Sequence, residues 1–254
     1  MTSIIKIGCC GYGKGGLKKY ALTFNVVEVQ STFYNLPKIE TVKKWSNEAL
    51  SINANFEFTI KAWQGISHSP NSPTWRRSRV KPDSTMGSLK PTEKNFSSWK
   101  EITNIAKALK SKFIIIQTPP SFSPSEINIK NMKDFFSSIN RDDIIIGWEP
   151  RGEWRTQPTT IMKLCEELNL VHVVDPFRMM PLSNLPYVYF RLHGIGGTEY
   201  NYRYKYSDDD LVRLIMIINE QISRNKSEIY VMFNNFEMVN DAQRLLLMIE
   251  KQKL

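Results

Sequence analysis

Phe113-Ile114-Ile115-Ile116-Gln117 is a short apolar stretch of the sequence that ends in a polar residue. A run of this length, rich in β-branched residues, is typical of a strand that is buried on both faces of a parallel sheet. Seven more runs of the same kind predict the remaining strands, which are Ile4–Gly8, Asn25–Gln30, Phe56–Lys61, Ile144–Glu149, Val171–Asp175, Tyr187–Leu192 and Ile229–Phe233. The chain is therefore expected to contain eight short, mostly buried strands.

Longer segments with the periodicity of amphipathic helices lie between these strands. The clearest of them are Glu40–Leu50, Phe96–Leu109, Thr159–Leu168, Asp208–Ile222 and Met238–Ile249. Strands that alternate with helices pair in parallel, and eight such units predict a closed (β/α)8 barrel of the TIM type, with some irregularity. A doubly wound open sheet is the alternative, because a sequence pattern does not show whether a sheet closes.

Residues 1–254 are expected to form a single domain, because no stretch of the sequence separates two parts and this length suits one barrel. One segment, residues 68–91, breaks the rhythm of strands and helices after the third strand. It is long, basic and rich in Pro and Ser, and long loops at this position commonly bind ligands. We predict a lid-like insertion. The alternative is a passive linker, in which Trp75 and three arginines would be unusual.

The formal net charge of +9 favours an anionic partner, which is a phosphorylated metabolite, nucleic acid or a membrane surface. A solvated basic surface explains the charge slightly better, because a net charge is not a patch. The three cysteines form no Cys-x-x-Cys pair, which argues against a disulfide framework and a structural zinc site, and Cys9 and Cys10 are predicted as core residues. No apolar stretch reaches the roughly 18 residues of a membrane span and no signal peptide is visible, so a cytoplasmic protein without a membrane partner is expected. Nothing in the sequence indicates the oligomeric state.

Charged or hydrogen-bonding residues follow most of the predicted strands, at the carboxyl ends where the active sites of TIM barrels lie. Burying such groups is costly unless partners compensate, so solubility alone does not explain them. Glu28 and Glu149 are candidates for general acid and base, Lys61 for stabilising a developing anion, and His193 for carrying a proton. These four are the predicted catalytic residues.

A second group of residues is predicted to bind the substrate. Arg151 and Arg191 suit bidentate capture of a phosphate or carboxylate. Gly194 opens a Gly-rich loop at the position where TIM barrels usually bind phosphate. The full set is Gln30, Tyr34, His68, Gln117, Arg151, Asp175, Arg191, Gly194, Tyr200 and Asn234.

Two alternatives to this site stay open from the sequence. In the first, the polar groups form a self-satisfied network, in which Glu28 pairs with Lys61 and Glu149 with Arg191. In the second, which we favour less because the chain has only three histidines, a hard divalent ion is bound by Glu28, Glu149, Asp175 and His193. No metal ion or other cofactor is predicted.

Eight motifs in order along nearly the whole chain carry a resemblance to a known family. They are Gly8–Tyr12, Val27–Tyr34, Phe58–Ala62 with Ile66–His68, Gln117–Phe122, Trp148–Arg151 with Trp154, Tyr189–Gly194, Tyr200 with Tyr206-Ser207, and Phe233–Asn235. Together they resemble the YecE-like family, domain of unknown function 72. The resemblance implies a TIM-barrel fold and, as an analogy only, a structural kinship with endonuclease IV-like barrels. It implies no settled activity.

The sequence departs from the family pattern at two places. Cys9 and Cys10 stand where the pattern usually has Ser, Thr or another small residue. Gly152 follows Arg151 where the pattern has His, which puts any role of that position in doubt.

The favoured interpretation is an enzyme that acts on a small anionic substrate, phosphorylated or sugar-like, by general acid–base chemistry. Hydrolase, lyase and isomerase reactions are not distinguished. One alternative is a nucleic-acid-binding protein or an endonuclease IV-like repair nuclease, suggested by the charge and by the arginines of residues 68–91. A further alternative is a non-catalytic binding barrel.

Overall fold

Eight parallel strands form a closed barrel in the computed structural model. The structure describes residues 3–197 and 199–252, and residue 252 is described by its backbone only. The strands follow one another in chain order as β1 (Ile4–Cys9), β2 (Val26–Val29), β3 (Glu57–Lys61), β4 (Phe113–Gln117), β5 (Ile145–Glu149), β6 (Val171–Val174), β7 (Tyr187–Leu192) and β8 (Glu228–Phe233). The predicted fold class is confirmed. Each strand begins and ends within one residue of the position expected from its apolar run.

The described residues form nine α-helices: α1 (Gly16–Ala21), α2 (Ser31–Tyr34), α3 (Ile39–Leu50), α4 (Gln64–Ser67), α5 (Glu93–Leu109), α6 (Glu126–Ser138), α7 (Pro158–Glu167), α8 (Asp208–Ser223) and α9 (Met238–Gln252). The five helices expected from periodicity are α3, α5, α7, α8 and α9. Helix α8 begins with a capping box, in which the side chains of Ser207 and Asp210 each accept a hydrogen bond from the other's backbone N–H. Within residues 3–197 and 199–252, no helix is both long and apolar enough to cross a membrane.

The first of two compact units is built from the chain up to Glu28, from Glu48–Glu57 and from Val171 onward. Strand β1 pairs with β2 and β8, and β7 pairs with β6 and β8. Strands β7 and β8 are buried over all but their first residues, as is usual for parallel strands. Cys9 and Cys10 are free, buried thiols in this core, as predicted.

The second unit is built from Val29–Asn47 and Phe58–Leu170. Its central strand β4 pairs with β3 on one side and with β5 on the other. All five residues of β4 are buried, which explains why its sequence is apolar without alternation. The last residues of the three strands are Lys61, Gln117 and Glu149, so the register places polar groups at their carboxyl ends.

Residues 68–91 belong to the second unit, and the end of this segment is hydrogen-bonded through its backbone to α4. Trp75, in the 3-10 helix Pro73–Arg77, is 8% exposed and packs against Trp63 and Met86. Gly87 has a φ of +77° and donates its N–H to the carbonyl of Gly65. A Cβ at Gly87 would lie 2.1 Å from the carbonyl oxygen of His68, so only glycine fits there. The segment is thus packed against the unit, and its action as a lid stays a prediction.

Candidate functional site

The carboxylate of Glu28 is fully buried in the first unit and accepts two hydrogen bonds from β7. Tyr189 donates its hydroxyl to Oε2 at 2.8 Å, and Arg191 donates Nη2 to Oε1 at 2.9 Å. The two donors lie two residues apart on the strand and therefore point to the same face. Glu28, Tyr189 and Arg191 form what we call the Glu28 cluster. The structure thus joins Glu28 and Arg191, two residues singled out from the sequence.

Tyr189 is the member of the Glu28 cluster that the sequence analysis missed. The signal was present, because Tyr189 lies two residues before Arg191 in the same strand, and side chains two residues apart in a strand point to the same face. A tyrosine inside an apolar strand normally indicates core packing, and its ring does stack on Tyr230 with 5.3 Å between centroids. Only the tertiary structure shows that its hydroxyl reaches a carboxylate.

Asp175 and His193 meet at the loop that follows β7. The Oδ2 atom of Asp175 accepts the backbone N–H of His193 at 2.9 Å, and the imidazole Nδ1 of His193 lies 3.8 Å from that oxygen. The Oδ1 atom accepts the N–H of Phe177 at 3.1 Å. Asp175 therefore shapes the backbone around His193 and places a carboxylate near its ring.

The Gly-rich loop after β7 is itself held by side chains of the first unit. Arg178 donates Nη2 to the carbonyls of Gly194 and Gly196, at 3.0 and 2.8 Å. The N–H of Gly194 is donated to the hydroxyl of Tyr206 at 2.8 Å. Because that N–H is engaged within the fold, the predicted anion binding by Gly194 would have to use other groups of the loop.

Lys61, at the end of β3, lies in the second unit in contact with two residues of different character. Its Nζ atom donates to Oε1 of Gln117 at 2.8 Å and lies 3.9 Å from the centroid of the Phe33 ring. The aromatic face favours the ammonium form of the lysine. Lys61 and Gln117 are each 8% exposed, so these two predicted site residues lie in a largely buried environment.

Glu149 and Arg151 form a buried ion pair beside the end of β5. The Oε1 atom of Glu149 accepts from Nε and Nη2 of Arg151 at 3.2 and 3.0 Å. Glu149 is 6% exposed and Arg151 is 8% exposed. Gln117 is the register partner of Glu149, so the lysine, the amide and the carboxylate come from the ends of three consecutive strands.

His68 completes this group, which we call the Lys61 cluster (Lys61, His68, Gln117, Glu149 and Arg151). The imidazole is 2% exposed, with Nδ1 2.8 Å from Oγ of Ser67. Burial lowers the pKa of His68 to about 3, and the positive charges of Lys61 and Arg151 act in the same direction. His68 is therefore a neutral imidazole at pH 7, able to donate one hydrogen bond and accept another.

The remaining predicted residues lie in other surroundings. Gln30 and Tyr34 line an open cleft of about 820 Å³ in the second unit. Tyr200 is 46% exposed, and its ring stacks on Tyr202 with 4.9 Å between centroids. Asn234 is partly exposed, and its backbone N–H is donated to the carbonyl of Leu192.

Possible metal ligands do not converge in the part of the chain that the structure describes. No group of three or more His, Cys, Asp and Glu side chains in those residues is arranged to hold a metal ion. The less favoured divalent-metal set of Glu28, Glu149, Asp175 and His193 therefore has no support from the geometry.

Comparison with known proteins identifies the family. The profile of the family described as "Protein of unknown function DUF72" matches residues 11–253. A DUF72 family protein of Enterococcus faecalis V583 has a similar structure with a TM-score of 0.72 and 21% sequence identity, over 100% of this chain and 99% of that one. No match was found among curated protein sequences.

Two solved structures from outside this family have similar barrels at lower sequence identity. A xylose isomerase domain protein of Planctomyces limnophilus has a TM-score of 0.57 and 14% identity, over 98% of this chain and 96% of that one. Endonuclease IV of Thermus thermophilus has a TM-score of 0.54 and 9% identity, over 97% of this chain and 99% of that one. At such identities the likeness concerns the fold alone. The family match, by contrast, spans nearly the whole sequence, and the chain belongs to the DUF72 family.

Proposed function

We propose that this protein is an enzyme that acts on a small anionic substrate, phosphorylated or sugar-like, by general acid–base chemistry. The observation that carries the proposal is the Lys61 cluster. Five polar side chains, each at most 8% exposed, gather at the carboxyl ends of β3, β4 and β5. Catalytic residues of TIM barrels come from these ends.

Within the Lys61 cluster, Glu149 is the candidate acid–base group. Arg151 holds one carboxylate oxygen in a two-donor contact, which fixes the orientation of the side chain. Lys61 supplies a positive charge that stabilises an oxyanion developing on the substrate. His68, being neutral, suits the polarisation of a substrate carbonyl or hydroxyl by a hydrogen bond rather than by charge.

The first unit supplies a second set of candidates. Glu28 is oriented by Tyr189 and Arg191, and His193 is positioned by its backbone bond to Asp175. We propose Glu28 as a general base and His193 as a proton carrier, as their residue types suggest. Arg191 acts in this scheme as a positioning residue for Glu28.

The substrate class is proposed from the donors at these strand ends. Guanidinium and ammonium groups bind phosphate or carboxylate oxygens, while amides such as that of Gln117 bind hydroxyl groups. A phosphorylated sugar carries both kinds of acceptor. The similar barrel of a xylose isomerase domain protein is consistent with a sugar-sized substrate, although the likeness extends to the fold only.

The proposal is tested with the isosteric variant Glu149→Gln. Wild type and variant are assayed for turnover of a panel of sugars, sugar phosphates and small organic acids, and for binding of the same compounds by calorimetry. We expect the turnover rate of the variant to be at least about 100-fold lower than that of the wild type, because general acid–base catalysis contributes factors of that order. Binding should change much less, since this substitution retains the size of the side chain.

Glu153→Gln is the matched control, because Glu153 is exposed, lies four residues away and loses the same charge. Turnover that is unchanged in Glu149→Gln, or that falls equally in Glu153→Gln, would refute the role of Glu149. If the wild type binds a compound of the panel but turns over neither that compound nor any similar one, the result would instead support a non-catalytic binding barrel.

A further inference from the structure

The open cleft of about 820 Å³ in the second unit is separate from the Lys61 cluster, because no member of that cluster lines it. Its walls come from the chain after β2, from the start of α3 and from residues 77–79. The volume lies within the range of about 300–1,000 Å³ that is usual for ligand pockets. The cleft is therefore large enough for a ligand of nucleotide size.

Positive charge dominates the lining of the cleft. Lys38, Arg77 and Arg79 line it, all three are exposed, and none of the lining residues is acidic. Among the described residues, none of these three cations takes part in an ion pair with a carboxylate. A concave surface with three such cations attracts an anion, and arginine suits phosphate oxygens in particular.

The lining also presents flat surfaces next to these charges. The Arg77 guanidinium lies over the Tyr34 ring, with 3.9 Å from Cζ to the ring centroid, and donates Nη1 to the Tyr34 hydroxyl at 2.8 Å. Trp45 contributes a partly exposed indole to the same cleft. Indole rings and guanidinium planes stack on nucleobases with little dependence on sequence.

The wall that carries the two arginines is fixed before any ligand binds. Asn35 donates Nδ2 to the carbonyl of Arg77 at 3.1 Å and accepts the N–H of Arg79 on Oδ1 at 2.7 Å. The buried Trp75 anchors the same segment by donating Nε1 to the carbonyl of Ser69 at 2.9 Å. A wall held in this way loses little conformational entropy on binding.

We propose that this cleft binds nucleotide units, in which a phosphate group stands next to a flat base. The ligand is either a free nucleotide or a stretch of single-stranded nucleic acid, since both present the same chemistry. This site goes beyond the proposed acid–base enzyme and does not depend on it.

The test uses the full-length protein and two kinds of probe. Binding of a fluorescein-labelled oligothymidylate of 12 nucleotides, and of a labelled abasic strand of the same length, is followed by fluorescence anisotropy. Binding of AMP and of inorganic phosphate is followed by calorimetry. The cleft variant combines Lys38→Gln, Arg77→Gln and Arg79→Gln. The control variant combines Lys18→Gln, Lys110→Gln and Lys163→Gln, which lie elsewhere on the surface, are exposed and remove the same charge.

We expect the cleft variant to bind the nucleotide probe at least tenfold more weakly than wild type, and the control variant to stay within twofold. If three phosphates of a single strand are contacted, the logarithm of the affinity should fall with the logarithm of salt concentration with a slope of about −2. Tighter binding of the oligonucleotide than of AMP identifies a single strand as the ligand. Equal binding identifies a free nucleotide.

Three outcomes would overturn the proposal. The first is equal loss of affinity in the cleft and control variants, which would show attraction by net charge alone. The second is binding of inorganic phosphate, or of a 12-residue abasic strand, as tight as that of the base-containing probe. The third is that wild-type protein, shown to be folded by a cooperative thermal unfolding transition, binds neither the oligothymidylate nor AMP at low salt.

Discussion

Replacing His68 with Asn should make the stability of this protein less sensitive to acid. In the folded chain, burial and the nearby charges of Lys61 and Arg151 lower the pKa of His68 from its ordinary value of 6.5 to about 3. In the unfolded chain the imidazole is solvated and recovers its ordinary value. Below pH 6.5, therefore, the unfolded state takes up a proton that the folded state does not.

The sign follows from proton linkage. Because the unfolded state binds more protons between about pH 6.5 and pH 3, the free energy of unfolding contributed by His68 falls as the pH falls through that window. Each pKa unit corresponds to about 1.4 kcal/mol, so the loss between pH 7 and pH 5 is about 2 kcal/mol. At pH 3 the loss would be about 4 kcal/mol, and it would level off at about 5 kcal/mol below that pH, where the folded state is protonated as well.

Urea unfolding at pH 7 and at pH 5, for wild type and His68→Asn, measures this loss directly. Contributions common to the two proteins cancel when their pH-dependent changes are compared, so the difference reports on His68. Asn preserves a polar atom near the position of Nδ1, which lies 2.8 Å from Oγ of Ser67. We expect wild type to lose about 2 kcal/mol more than the variant on acidification.

An equal loss in the two proteins would refute this reasoning. A second readout is the NMR titration of the ring protons, which is simple because the chain has three histidines. Should the His68 ring titrate with a midpoint near 6.5 in the folded protein, the surroundings deduced for the Lys61 cluster would be wrong.

Two further changes test the packing around the two clusters. Arg191→Met leaves Glu28 buried without its guanidinium partner and should lower the free energy of unfolding by about 3–5 kcal/mol. The double variant with Glu28→Gln should recover part of that loss. An Arg191→Met variant as stable as wild type would contradict the buried pair. Gly87→Ala should lower the free energy of unfolding by at least about 2 kcal/mol more than Gly16→Ala does, because both glycines have positive φ but a Cβ would collide with the backbone only at Gly87. Equal melting curves for the two variants would contradict that contact.

The elements of the fold could be predicted because their signals are local. Apolar β-branched runs located all eight strands within one residue, and periodicity located the five helices that it was used to predict. Helix α6 was not among them. Its buried residues Met132, Phe135 and Phe136 all lie at or after its midpoint, and Ile127 in its first turn is 61% exposed, so its apolar residues do not form one continuous face. Closure of the sheet was an inference from the number of strands, since only long-range pairing such as that of β1 with β8 decides it.

The candidate site was predictable as a set of residues and not as a set of contacts. Polar residues at the ends of apolar strands stand out in the sequence, because such groups are costly to bury and are unusual there. This pattern identified Glu28, Lys61 and Glu149. Their partners depend on register and on side-chain length. The contact between Arg191 and Glu28 spans 163 positions of sequence, and no local pattern encodes it.

Short-range physics therefore determined, from the sequence by itself, which segments are strands, that they alternate with helices and which of them end in polar groups. The tertiary structure decided which groups meet. It placed Tyr189 on the carboxylate of Glu28, engaged the N–H of Gly194 with Tyr206, and surrounded His68 with enough protein to keep it neutral. Those outcomes depend on distances and burial, which arise when strands far apart in sequence pack together and exclude water.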